Sequence, residues 1–124
     1  MSFSVTLRAL INRAIDSVEH VEVLLLLKRD PEHSWTPAHV AEELRRSSSS
    51  VERRLRDLVR ARLVSETNGT YAYDPGSHAK AVDELEYEYE HRRVRLIEAI
   101  FSRSIDSARS FADAFRLWGE DDDR

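Results

Sequence analysis

Apolar side chains recur at Leu7, Leu10, Ile11, Ala14 and Ile15 within FSVTLRALINRAI, the three-and-four spacing of one helical face, and predict a helix over residues 3–15. A second helix is predicted over 16–29 (DSVEHVEVLLLLKR). Val18, Val21, Leu24 and Leu25 form its stripe, with Asp16 as N-cap and Glu19 as the capping-box partner three residues on. It must stop before Asp30-Pro31, because proline lacks the amide donor and pushes its predecessor toward extended backbone. Thr36 then offers a cap oxygen, Pro37 fits the first helical position, and Val40, Ala41 and Leu44 line a short third helix. After Arg45-Arg46 and the run Ser47–Ser50, Val51, Leu55, Leu58 and Val59 share one face of a strongly amphipathic helix capped by Ser47.

Beyond Leu63 the period changes. Val64, Thr67, Thr70, Tyr71 and Tyr73 flank Asn68-Gly69, the dipeptide that accepts the two positive φ angles of a type I′ turn, which predicts a two-stranded hairpin. Asp74-Pro75-Gly76 ends it. Residues 77–101 resume a helical pattern through Val82, Leu85, Tyr89, Leu96 and Ile100, and at 1.5 Å per residue that helix is roughly 36 Å long. A final segment from Ile105 sets Ala108, Phe111, Ala112 and Phe115 on one face before Gly119 and the acidic tail.

A chain of 124 residues with 41% hydrophobic and 34% charged content has the size of one globular domain, too small for two. No apolar run approaches the ~18 residues of a membrane span, and the N-terminus shows no basic-then-apolar leader, so no membrane partner and a cytoplasmic location are expected. The absence of cysteine removes disulfides, thiolate metal sites and thiol catalysis. His20, His33, His39, His78 and His91 are scattered, the His33/His39 pair lacks a third ligand at suitable spacing, and no HExxH, GxSxG or glycine-rich phosphate loop occurs. Glu84, Glu86, Glu88 and Glu90 alternate by two, which on a helix spreads them around the surface. The expectation is no enzyme, no cofactor and no metal.

The net charge of −4 argues against a uniformly basic protein, yet its distribution is uneven. Residues 45–62 hold seven arginines against Glu52 and Asp57, a local +5, so the remainder carries −9. Turning Val51, Leu55 and Leu58 inward leaves Ser48, Ser49, Glu52, Arg53 and Arg56 outward with Arg54 beside them. Arginine pairs bidentately with guanine, and serine hydroxyls with free helix-start N–H groups hold phosphate. Candidate DNA contacts are therefore Arg46, Ser47, Ser48, Ser49, Glu52, Arg53, Arg54 and Arg56, on helix 48–61.

The order helix, short helix, tight turn, amphipathic helix, hairpin, in WTPAHVAEEL, SSSSVERRLRDLVRARLV and the Asn-Gly hairpin, resembles the winged helix-turn-helix of bacterial transcription regulators. The flanking helices give it a layout similar to MarR-type regulators. The resemblance implies a mainly α fold with a small β-hairpin wing, in which helix 48–61 enters the major groove and Trp35 lies on a short strand beside the wing. It implies an N-terminal helix or arm (1–15), a winged domain (16–76), C-terminal dimerisation helices (77–118) and a disordered acidic tail (119–124). A homodimer joined through Val82, Leu85, Tyr89, Leu96, Ile100, Phe111 and Phe115 follows, with room between helices for a small hydrophobic effector. The chain departs from the family pattern in three places: Arg46 replaces an aliphatic residue, Arg62 replaces the glycine that closes the recognition helix, and the wing holds Glu66 without Lys or Arg. Those departures motivate the alternative of an interaction module that uses this fold to bind a protein.

Overall fold

The computed structural model describes residues 3–103. The segment from Ile105, including Phe111 and Phe115, and the tail 119–124 lie outside the described residues. The fold is mainly helical with one small antiparallel hairpin: α1 (Val5–Ala14), α2 (Val18–Arg29), α3 (Pro37–Leu44), α4 (Ser48–Arg60), β1 (Val64–Thr67), β2 (Thr70–Tyr73) and α5 (Ala79–His91). A 3₁₀ turn over Gly76–His78 leads into α5, and residues 93–103 are helical again. Among the described residues no helix is long and apolar enough to cross a membrane.

α2 is the central helix, with Val21 and the run Val23–Leu27 buried. Each such aliphatic side chain contributes about 1.5–3 kcal/mol by leaving water. The N-cap of α2 is Ser17, correcting the assignment to Asp16: the Ser17 hydroxyl accepts the His20 N–H at 3.2 Å. The Asp16 carboxylate turns instead toward the His20 ring (3.6 Å) and Arg103 (3.4 Å). Glu19 is no capping-box partner either, because it reaches across to α4. Thr36 and Ser47 cap α3 and α4 as their positions predict, through the N–H groups of His39 and Ser50.

The hairpin turns at Asn68 and Gly69, with φ of 52° and 83°, in the register Val64↔Tyr73 to Thr67↔Thr70. Trp35 exchanges two backbone hydrogen bonds with Tyr71 (2.8 and 2.7 Å), which ties the loop before α3 to the hairpin.

The expected continuous helix over 77–101 is broken. Arg92 leaves helical geometry (φ −139°, ψ 51°), and residues 93–103 fold back along α1. Arg95 sits over the Phe3 ring at 4.6 Å at one end, and Arg103 donates to the Asn12 carbonyl at 2.7 Å at the other. No proline or glycine imposes the break; burial does. Leu96 and Ile100 reach the core that contains Leu7, Leu10 and Ile11 of α1, and a straight helix would leave them in water. The same packing corrects the dimer seam: Val82, Leu85, Leu96 and Ile100 are buried inside one chain, and the half-buried Tyr89 lies under the Arg93 guanidinium at 4.1 Å. Among the described residues, the large apolar side chains left in solvent are Val5, Tyr87, Val94 and Phe101.

Candidate nucleic-acid interface

Five of the predicted contacts do not depend on distant partners. Val51, Leu55 and Leu58 are buried beneath α4, and the helical period carries Ser48, Ser49, Arg53 and Arg56 to its exposed side, with Glu52 among them. Glu52 and Arg56, four apart, stand 4.0 Å from one another, a loose solvent-exposed pair worth little.

Arg46 and Arg54 correct the expectation, because they turn toward α2. Arg54 Nε donates to Glu19 Oε1 at 2.9 Å; Arg46 donates to Glu22 Oε1 through Nη2 (2.8 Å) and Nε (3.2 Å). The Ser50 hydroxyl donates to the same Glu19 oxygen as Arg54. The Ser47 hydroxyl is committed to its cap. These contacts fasten α4 to the central helix and remove two arginines from the outward face. Arg46 thus replaces the expected aliphatic contact with an ionic one.

A second fastening joins the other end of α4 to α2. The buried His20 ring bonds the Ser17 hydroxyl through Nδ1 (2.9 Å) and Asp57 Oδ2 through Nε2 (2.9 Å), while Arg60 holds Asp57 Oδ1 at 2.5 Å. Beside it lies a polar cleft of about 300 Å³ lined by Arg13, Asp16, His20, Asp57, Arg60 and Arg103. Its walls are charged, unlike the hydrophobic effector site that the family resemblance implies.

Burial pushes both fastening carboxyls upward, but their partners prevail. The Ser50 and Arg54 hydrogen bonds, with the Arg54 and Arg46 charges, hold Glu19 below its ordinary value; His20 and Arg60 do the same for Asp57. A carboxyl with a lowered folded-state pKa contributes stability that is complete above its ordinary value and is lost as pH falls through the folded value. The melting temperature should therefore decline on acidification below about pH 4.5 as these two carboxyls take up protons. Glu19→Gln should blunt part of that decline in melts run between about pH 3 and pH 7. An equally steep decline in the variant would exclude Glu19 as a contributor.

The hairpin flanks the outward face of α4. Burial raises the Tyr71 phenol pKa, as do the charges of Glu66 and Glu52, while Arg56 opposes them, so strand and helix share one electrostatic environment. Glu66 has a local use: its carboxylate accepts the Gly69 N–H at 3.1 Å and closes the turn. The Thr70 hydroxyl donates to the Thr67 carbonyl at 2.8 Å, so the tip is polar, with Glu66 as its one charge and no basic residue.

The arginine-rich segment thus divides. Arg46, Arg54, Arg56 and Arg60 have carboxylate partners; Arg45, Arg53 and Arg62 have no ion pair or side-chain hydrogen bond among the described residues. Two of the unpartnered three, Arg45 and Arg62, escape a reading based on helix faces, since both lie just outside α4. Glu19, Glu22 and His20 escape it too, because their partners are 24 to 37 residues away. Elsewhere, the His33 and His39 rings pack edge to face beside Trp35, with centroids 5.5 Å apart. No cluster of three or more His, Asp or Glu among the described residues is placed to hold a metal ion. The chain matches no protein-family model, no curated protein and no solved structure with which it was compared.

Proposed function

We propose that the chain is a DNA-binding transcription regulator of the winged helix-turn-helix type, a cytoplasmic, non-catalytic homodimer that inserts α4 into the major groove. The observation that carries the reading is the outward side of α4. Ser48, Ser49, Arg53 and Arg56 project from a helix whose other side is buried through Val51, Leu55 and Leu58 and tied down by Glu19 and His20. Rigid support of this kind holds guanidinium groups in a geometry that can match guanine O6 and N7. The hairpin, braced by Trp35, is the counterpart of the wing in this reading, and the Glu66 carboxylate at its turn argues against an attractive electrostatic part for it.

A dimer is what a palindromic operator would require, with two copies of α4 one helical turn apart. Val94 and Phe101, seven residues apart on one side of the helix 93–103, are apolar surface still available for it. The MarR-like layout would then survive in the position of the terminal helices, with a different set of side chains at the contact.

Salt dependence tests the reading. Affinity for a duplex spanning the gene's own promoter region, measured by fluorescence anisotropy, should fall at least about a hundredfold between 50 and 200 mM salt, as expected if four or more phosphates are neutralised. Absence of DNA binding, or binding indifferent to salt, would reject it and favour the second reading, a winged-helix module that binds a protein. That alternative is supported by the ion pairs that absorb Arg46, Arg54 and Arg60 and by a hairpin without a basic residue.

A further inference from the structure

Among the described residues, three other than glycine have positive φ: Arg45 (56°), Arg62 (65°) and Asn68 (52°). Asn68 belongs to the hairpin turn, where asparagine tolerates left-handed backbone. The two arginines have no such local reason. Each closes a helix in the same way: the left-handed residue lets the next N–H reach back five positions, Arg46 to the Ala41 carbonyl and Leu63 to the Leu58 carbonyl, both at 3.0 Å. This ending favours glycine, because any Cβ crowds the backbone there.

The backbone needs the conformation, and the chain places a long, charged residue with a Cβ at both sites where glycine would be unstrained. Nothing among the described residues rewards the choice. Both side chains are exposed, and neither meets a carboxylate or a hydrogen-bond acceptor among the described residues. They stand at opposite ends of α4, the 13-residue helix between them, which is about 20 Å long. With α4 in a major groove ~12 Å wide, exposed charges just beyond the two ends of the helix would meet phosphates rather than base edges.

We propose that Arg45 and Arg62 form a phosphate clamp that grips the two DNA strands bordering the groove occupied by α4, and that their strained backbone is retained for this contact. The inference rests on the DNA-binding reading and assigns backbone-positioning contacts to residues outside the helix that reads bases.

The test uses the full chain with Arg45→Gly, Arg62→Gly and the double variant, and Arg8→Gln on α1 as a control that removes an exposed charge far along the sequence from α4. Each glycine should raise the melting temperature by about 2–4 °C by relieving the left-handed strain. Each should also weaken binding to the promoter duplex by roughly three- to tenfold and flatten the slope of log affinity against log salt by about one for every clamp arginine removed. Arg8→Gln should change neither. Variants that melt higher but bind with unchanged affinity and slope would overturn the clamp and leave the DNA reading standing. Variants that melt lower, or an equal loss of affinity with Arg8→Gln, would also overturn it. Wild-type protein that shows no salt-sensitive DNA binding would overturn both.

Discussion

Reversing two charges on α4, Arg53→Glu together with Arg56→Glu, should lower affinity for the promoter duplex by at least about a hundredfold at 150 mM salt while leaving the melting temperature within about 2 °C of wild type. The size follows from the removal of two arginines, each worth about 1–3 kcal/mol where it meets a base edge, plus repulsion between the new carboxylates and phosphate. The small stability change follows from the surroundings. Arg53 has no internal partner among the described residues, and Arg56 has only the loose pair with Glu52 at 4.0 Å. A large loss of binding without unfolding therefore reports on the interface itself. Retained binding would remove α4 from the groove. The matching reversal at Arg54 is less informative, since it would place two carboxylates against each other at Glu19 and disturb the fold.

The second large effect concerns the return of residues 93–103 onto α1. Leu96→Ala should destabilise the protein by about 2–5 kcal/mol, the range for emptying a leucine-sized site in a packed core, whereas Val94→Ala should cost less than about 0.5 kcal/mol. Leu96 is fully buried and Val94 is 72% exposed, although they are two residues apart on the same helix. Urea unfolding followed by circular dichroism at 222 nm distinguishes the two. If α5 ran straight through Arg92, Leu96 would lie on an open helix face and both substitutions would cost little. A large difference between them establishes the fold-back, and with it the conclusion that Leu96 and Ile100 belong to the monomer core rather than to a dimer seam.

Charge on the molecule has to be judged by partner as well as by position. The +5 of residues 45–62 is a true sum, but Glu19 and Glu22 of α2 neutralise part of it, and Asp57 holds Arg60 within the segment. What is exposed and not held by a close carboxylate is narrower: Arg53 and Arg56 on the helix, Arg45 and Arg62 beyond its ends. On the proposed DNA-binding reading, such a surface would bind through a few well-placed guanidinium groups rather than through a basic coat. It is compatible with an acidic protein, whose −9 remainder would repel DNA everywhere else and favour a single orientation.

Local signals in the chain were sufficient for most of the helices. Thr36-Pro37 and Ser47 start α3 and α4 because a side-chain oxygen three residues ahead of an amide suffices for a cap, and Asn68-Gly69 makes the turn because those two residues tolerate positive φ. The inward face of α4 was legible for the same reason: helical periodicity is a property of neighbours in sequence. Asp16 failed as a cap because the adjacent Ser17 supplies the cap oxygen, while the Asp16 carboxylate meets the His20 ring four residues on and the distant Arg103.

The tertiary structure alone decided three things. It broke the helix at Arg92, where burying Leu96 and Ile100 outweighed a local sequence that favours continuing. It committed Arg46 and Arg54 to α2, because their partners Glu22 and Glu19 lie 24 and 35 positions away, where no spacing rule connects them. It also set Arg62 in left-handed backbone without the glycine that such an ending favours, since the Leu63 N–H must reach the Leu58 carbonyl for the hairpin to leave α4 as it does. Sequence by itself determined where helices begin, which way α4 faces and where the hairpin turns. Those depend on energies within a few residues, whereas the free charges and the course of the last helix depend on which distant surfaces gain most by meeting.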